Sequence, residues 1–548
     1  MPLEGYVGYK KEDTEKYDKA RWWLGLTLGD LLDKASDLYP NKEALVDDTS
    51  RLTYAQLREK VDRLAIGLMK LGIKKQDRVL LQLPNWNEFV YSYFALQKIG
   101  AIVVLLLPGH GTIEIDHLCR LTKAVAWIVP ENYRKIDYLP VIDEVLKINP
   151  ELKHVILVRG KESGRFISLE RLIGDTDLSE DNVGELIDRR PDPMEVAHMG
   201  PTGGTTGLPK VAPRTHNDYI CNIEYKARAW ELINDDICLA MTPAGHDMTF
   251  TMAICGTIFT FSKLVLLDST RPEDICDTVQ SEGVTSAVMA PALAMRVVNF
   301  KGVKDYDMSS LVKVYVGGAA SPPDLVRSAY EKIGYKHIIG FGGTEGQSCM
   351  TRLDYDLDTM CHTAGRPSCP YETYKIIDQD ERELPPNKEG ELVTKGPGIF
   401  TGYFNAPEEN RKASTKDGFF KTGDLARIDD SGNITITGRI KDIILRGGEN
   451  ISANEVEQLI SAHPDVKEVA VVGVPDKDLG ERVCAYIVPA AGKKPSLEDI
   501  AKFLKDNGAG KLLIPERLEY IDAIPLTSAN KADKKVLRED IKKRAGIT

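Results

Sequence analysis

Three glycines and three threonines fill six successive positions, Thr202-Gly203-Gly204-Thr205-Thr206-Gly207, and Leu208-Pro209-Lys210 follows at once. Small residues remove bulk here, while the hydroxyls add donors. Exposed backbone N–H groups in such a loop form a nest for an anion. Lys210 adds a compact positive charge suited to phosphate oxygens. A surface linker would need neither the hydroxyls nor the closing Pro-Lys, so the stretch reads as a phosphate loop. It is not a Walker A loop, which requires Gly-Lys-Ser/Thr, because Lys210 follows Pro209 and precedes Val211.

Other residue groups suit the same ligand. Phe341-Gly342-Gly343-Thr344-Glu345 places a hydroxyl and a carboxylate after glycines, a pair able to hold a hydrated cation beside a triphosphate. Thr422-Gly423-Asp424 offers a carboxylate, a pure acceptor that can take both ribose hydroxyls. Each has a bland counterpart, an ordinary turn with a solvated acid. The phosphate loop tips the balance toward function.

Together these motifs resemble the adenylate-forming enzymes, which include acyl- and aryl-CoA ligases, firefly luciferase and the adenylation domains of peptide synthetases. The loop is similar to the family's Thr-Ser-Gly-Thr-Thr-Gly-x-Pro-Lys, with one departure, a glycine at the serine position. The resemblance covers nearly the whole chain, with the motifs in the family's order. It implies that Thr202, Gly203, Gly204, Thr205, Thr206, Gly207 and Lys210 hold ATP phosphates. By the same resemblance Thr344 contacts the AMP phosphate, Glu345 binds Mg²⁺ and Asp424 holds the ribose. Adenine would lie over Gly317, Gly318 and Ala319, with Gly340, Phe341 and Gly342 beside the nucleotide. Arg439 would reach ribose or phosphate, and Lys441 would be the pivot of a hinge at residues 439–442. Gly447-Gly448-Glu449-Asn450 resembles the loop that turns toward the site in the second half-reaction.

Pro525-Leu526-Thr527-Ser528-Ala529-Asn530-Lys531 resembles the motif of the catalytic lysine, with Asn530 where glycine is usual. Charge builds on the phosphate and on the leaving pyrophosphate as a carboxylate attacks, and a mobile ammonium can neutralise it where water is excluded. Lys531 is the candidate. Asn tolerates positive φ better than most residues, so the turn should survive.

For the acid, the resemblance points to Gly245-His246-Asp247-Met248, where the family places a gate beside the carboxylate. His246 would orient the carboxylate or admit ATP. Asp247, Met248, Met252, Gly340 and Cys349 would line the pocket. That lining is small and apolar, with adaptable methionines, and suits an aromatic, alicyclic or medium aliphatic acid. The match to dihydroxybenzoate-activating members includes Arg21-Trp22-Trp23 and Thr351-Arg352-Leu353. Those enzymes usually carry Asn where Asp247 stands, and amino-acid activators carry Asp there, which leaves an amino acid open as substrate.

The implied activity is that of an AMP-forming carboxylate:CoA ligase using ATP, Mg²⁺ and coenzyme A. A stand-alone aryl-acid adenylating enzyme that loads a separate carrier protein is the nearest rival. A luciferase-like oxidation and a non-catalytic nucleotide sensor stand further off. Lys210, Glu345, Asp424 and Lys531 together speak against the sensor.

Elements must position these groups, and 548 residues exceed one hydrophobic core, so at least two domains are expected. Helical patterns behind Thr27 and across Leu57, Val61, Leu64 and Leu68 alternate with strands at Arg78–Leu83, Ile102–Leu106, Val125–Val129 and His154–Val158. Such alternation predicts an α/β fold, a large N-terminal domain (1–438) of parallel or mixed sheets flanked by helices. The pattern then changes to a small mobile α+β domain (439–548) that carries Lys531. Gly438 would permit unusual backbone angles at the hinge. Apolar residues at 42%, charged residues at 28% and a net charge of -11 are those of a soluble enzyme and argue against nucleic acid as a partner. No run suits a membrane span, and nine scattered cysteines fit a reducing cytoplasm. A homodimer is compatible with the resemblance.

Overall fold

The computed structural model describes residues 3–160, 165–202, 208–447, 449–507, 509–527 and 531–546. The chain divides into two compact units. The first comprises Met1–Cys361, Gly365–Thr373 and Lys395–Ala413; the second comprises His362–Ala364, Tyr374–Thr394 and Ser414–Thr548.

In the first unit the alternation of strand and helix builds two sheets. One has nine strands, running from Arg366–Pro367 through Lys336–Gly342, Lys313–Gly317 and Ser286–Met289 to Arg51–Thr53. Its central strands are parallel and its ends antiparallel. The other has seven strands, parallel except for the hairpin of Val196–Thr202 with Lys210–Thr215. Buried parallel strands read as continuous apolar runs because helices cover both faces. Ile102–Leu105 and Ala126–Pro130 are such runs.

Local signals in the sequence set the helix ends. Thr27 and Thr53 cap helices Leu28–Leu38 and Tyr54–Lys70 through reciprocal bonds with Asp30 and Gln56, satisfying backbone donors that the helix leaves free. Leu57, Val61, Leu64 and Leu68 face the core. The apolar run after His246 is less regular than its composition suggests. It forms a short helix Asp247–Thr249, a π-helical turn Phe250–Cys255 and a helix Gly256–Thr260.

The second unit holds a four-stranded sheet, which includes Phe420–Ile428 and Ile434–Arg439, and a separate five-stranded sheet around Val466–Asp476 and Gly480–Pro489. Helices Ala453–Ser461, Leu497–Asp506 and Lys534–Arg544 pack against the latter's core. The four-stranded sheet precedes residue 440 in sequence, and its strands belong to the same unit as the C-terminal residues.

Candidate active site

The hairpin of Val196–Thr202 and Lys210–Thr215 fixes both ends of the phosphate loop, since Thr202 pairs directly with Lys210. Gly203, Gly204, Thr205, Thr206 and Gly207 lie outside the described residues. Lys210 Nζ sits 4.3 Å above the Tyr403 ring and 3.2 Å from Glu409 Oε2. The Tyr403 hydroxyl in turn donates to Glu345 Oε1 at 2.8 Å. A cation, an aromatic face and a carboxylate thus form one row.

Thr344 is seated by the adjoining strand. A Cβ on Gly200 would lie 2.2 Å from Thr344 Cγ2, so only glycine fits there. Arg214, fully buried, donates to the Thr344 carbonyl at 3.0 Å and to the Gly398 carbonyl at 2.6 Å, and pairs with Asp218 at 2.6 Å. Its rigid fork ties three segments of the site together. Gly342 and Gly343 serve by close approach and not by flexibility. The strand continues through Gly342, and a Cβ at Gly342 would meet Gln347 O at 2.8 Å.

On the neighbouring strands Gly317 and Gly340 are in register. A Cβ at Gly340 would lie 2.0 Å from Tyr315 Cζ, and one at Gly317 would lie 3.1 Å from Met248 Sδ. The missing side chains therefore make room for the Tyr315 ring and for Met248. Gly318 turns the chain out of the strand at φ +89°, and Ala319 follows it, exposed. Phe341 pairs in register with Cys349, which is fully buried beneath it.

His246 caps the helix that follows. Its Nδ1 accepts the Met248 N–H at 3.2 Å, which leaves the ring proton on Nε2. Asp247 Oδ1 accepts the Tyr219 hydroxyl at 2.9 Å. Lys226 Nζ stands 3.8 Å from Asp247 Oδ2. Met252 falls in the π-helical turn, its side chain buried in the main core.

The remaining candidates are in the second unit. Asp424 faces Arg439 across two antiparallel strands, and Arg439 Nε meets Asp424 Oδ1 at 2.7 Å. Asp424 is buried, and its Oδ2 has no hydrogen-bond partner among the described residues. Burial pushes this carboxyl above the usual carboxylate range, while Arg439, Lys441 and Lys531 pull it back down. Desolvation, with Arg439 beside it, holds Lys441 down at about 8. Lys531 is exposed at the foot of a turn in which the Thr527 N–H donates to its carbonyl at 2.7 Å. Ser528, Ala529 and Asn530 lie outside the described residues, as does Gly448. Gly438 does not supply an unusual backbone angle. It is a strand residue, and its missing Cβ admits Ser452 Oγ, which would otherwise be 2.5 Å away.

Residues 32–404 match the model of the AMP-binding enzyme family, and residues 455–531 match that of the AMP-binding enzyme C-terminal domain. The chain belongs to the AMP-binding enzymes. It is 35% identical over 545 residues to the 2,3-dihydroxybenzoate-AMP ligase of Bacillus subtilis (strain 168), covering 99% of this chain and 98% of that one. It is also 35% identical over 548 residues to a salicylyl-CoA synthase / salicylate adenylyltransferase of a Streptomyces species, covering 100% and 99%. Among solved structures, apo MbtA of Mycobacterium smegmatis superposes with a TM-score of 0.74 at 32% identity, over 98% of each chain.

Sequence motifs did not point to Tyr403, Arg214, Tyr219, Lys226 or Tyr315, although each of these holds a motif residue of this AMP-binding enzyme in place. They come from single positions on strands, helices and loops, and no spacing links them to the motifs. Glu345 fits a Mg²⁺ ligand of the kind expected. Among the described residues no group of three or more His, Cys, Asp or Glu side chains could hold a metal. Among the described residues no helix is long and apolar enough to cross a membrane.

Proposed function

We propose that this AMP-binding enzyme activates an aromatic or alicyclic carboxylic acid as its acyl-adenylate and passes the acyl group to the thiol of a separate carrier protein. The observation that carries the reading is Asp424. A buried carboxylate oxygen with no partner is costly unless a ligand completes it, and Arg439, Lys441 and Lys531 share its neighbourhood. A ribose hydroxyl is the partner such an acceptor suits.

In this reading Thr202, the Gly203–Gly207 loop, Lys210 and Thr344 bind phosphates, and Gly317, Gly318, Ala319, Gly340, Phe341 and Gly342 receive the base. Glu345 holds Mg²⁺, which when bound neutralises phosphate charge. Asp424 and Arg439 fix the ribose. Lys531 neutralises the charge that develops as the carboxylate attacks. His246, Asp247, Met248, Met252 and Cys349 surround the acid. Residues 439–442 are the hinge of a C-terminal lid, with Lys441 at its pivot, since an adenylate that hydrolyses needs water kept away. The relative named as a 2,3-dihydroxybenzoate-AMP ligase supports adenylation as the central chemistry. Nine buried cysteines, none of them in a disulfide among the described residues, support a reducing, cytoplasmic workplace.

A second acceptor is favoured by the relative named as a salicylyl-CoA synthase, namely coenzyme A. One assay separates the two. AMP release from Mg-ATP is followed across aromatic, alicyclic, aliphatic and amino acids, each alone, with CoA and with a phosphopantetheinylated carrier protein. Turnover should require one thiol and yield the matching thioester. Lys531→Ala should abolish adenylate formation and leave ATP binding in place; if the variant and the wild type turn over alike, or no acid promotes AMP release, the reading fails.

A further inference from the structure

The wall of the acid cleft holds a second ionic device that the adenylation reading leaves unused. Lys226 lies on helix His216–Ala229, buried, a surprising place for an ammonium. Its Nζ stands 3.8 Å from Asp247 Oδ2 and donates to Thr251 Oγ1 at 3.2 Å. The other oxygen of Asp247 accepts the Tyr219 hydroxyl at 2.9 Å. Tyr219 is itself held by stacking on His198, with ring centroids 4.7 Å apart, and His198 stacks on Phe250 at 5.5 Å. Arg214, the next cation along this wall, is already matched by Asp218 at 2.6 Å. Arg214–Asp218 and Lys226–Asp247 are thus two ion pairs on this wall, and Glu372 adds a further negative charge to the surroundings of Lys226.

We infer that Lys226 is a specificity-determining residue: it consumes the negative charge of Asp247 from behind, so the cleft selects a carboxylic acid with no ammonium group. This rests on the reading of the cleft around Asp247 as the acid site. An unpaired aspartate at this depth would recruit a substrate cation, because a buried carboxylate needs a partner. Here the partner is built in. An ammonium brought to Asp247 by a substrate would meet Lys226 across the carboxylate. Two like charges about 6 Å apart at an effective dielectric constant of about 20 change an affinity by roughly 100-fold. Met248, placed against Gly317 on the same side, offers an apolar surface in place of a charge.

The test measures acid binding apart from turnover. Calorimetry in the presence of a non-hydrolysable ATP analogue compares cyclohexanecarboxylate and benzoate with cyclohexylglycine and phenylglycine, in the full-length wild type and in Lys226→Met. The wild type should favour the amine-free acids by at least about tenfold, since the repulsion from Lys226 offsets the attraction of Asp247 and leaves the ammonium's lost hydration uncompensated. Lys226→Met should shift that ratio at least about tenfold toward the amino acids, since Asp247 is then unpaired. A merely structural lysine would lower all affinities together and leave the ratio unchanged. Should Lys226→Met fold poorly, Lys226→Gln removes the charge, can keep a donor to Thr251 Oγ1, and should shift the ratio in the same direction; an unchanged ratio there overturns the inference. Equal binding of the two classes by the wild type overturns the inference, as does a Lys226→Met ratio like that of the wild type. Pyrophosphate exchange on the same samples reports adenylation separately, so its failure with intact binding preference counts against the proposed activity and not against the role of Lys226.

Discussion

Replacing Asp424 by asparagine tests the nucleotide reading with little disturbance to the fold. Asp424 Oδ1 accepts from Arg439 Nε at 2.7 Å. A guanidinium cannot accept, so the asparagine oxygen must keep that place. The amide nitrogen then falls where Oδ2 was, and a charged acceptor becomes a neutral donor. Arg439 is 47% exposed and can hydrate, so the loss of the ion pair should cost the fold little. The cost should fall on the ligand. A hydrogen bond to a charged group contributes about 1.5–3 kcal/mol, which corresponds to roughly a 10- to 150-fold loss of ATP affinity. Titration calorimetry with Mg-ATP and with 2′,3′-dideoxy-ATP resolves the source. The wild type should prefer ATP by a similar factor, and Asp424→Asn should bind both nucleotides within about threefold of each other. If the variant keeps the wild-type preference for ribose hydroxyls, Oδ2 does not hold them and the assignment of Asp424 is wrong.

Two further outcomes follow from the same coordinates. Tyr403→Phe keeps the aromatic face under Lys210 but removes the hydroxyl bonded to Glu345; a bond of about 1 kcal/mol predicts roughly a fivefold fall in kcat/KM for Mg-ATP, with a higher Mg²⁺ requirement, in initial-rate measurements. Burial holds His198 and His216 down at about 3 against the usual 6.5, and the Leu28 N–H donating to His216 Nδ1 at 3.1 Å fixes the neutral ring. The unfolded chain then binds more protons between those two values, so stability is complete above pH 6.5 and falls as pH drops toward 3. Near pH 5 each ring costs about 1.4 kcal/mol per pH unit. His216→Asn, whose amide oxygen can take the Leu28 bond, should reduce the slope of urea stability against pH by that amount; an unchanged slope would show that His216 protonates in the fold.

Much of the frame was legible because short-range physics wrote it. Thr27 announced its helix through capping chemistry, and Leu57, Val61, Leu64 and Leu68 marked the buried face of another. The small residues before Lys210, and Thr344, Glu345 and Asp424, stood out in the sequence by residue type and spacing. What escaped was tertiary. Tyr403 is 58 residues from the Glu345 it bonds, and Arg214 lies 130 from Thr344 and 184 from Gly398. Nothing local marks such partners. Glycine roles were also misjudged, because a sequence cannot distinguish an unusual φ from a close approach. Gly438 and Gly342 are of the second kind, their space taken by Ser452 and Gln347. The π-helical turn at Phe250–Cys255 has no period that a search for 3.6-residue repeats would find.

The buried pair of Lys226 and Asp247 also constrains how this protein can change over generations. Losing either partner alone strands a charge in a dry interior, which typically costs 3–5 kcal/mol, a large share of a domain's marginal stability. A lineage drifting toward an ammonium-bearing substrate must shed the lysine and keep the aspartate, and so must cross that deficit before any gain in activity. Laboratory evolution of this cleft would therefore stall under single-residue mutagenesis, and would advance from a background stabilised elsewhere.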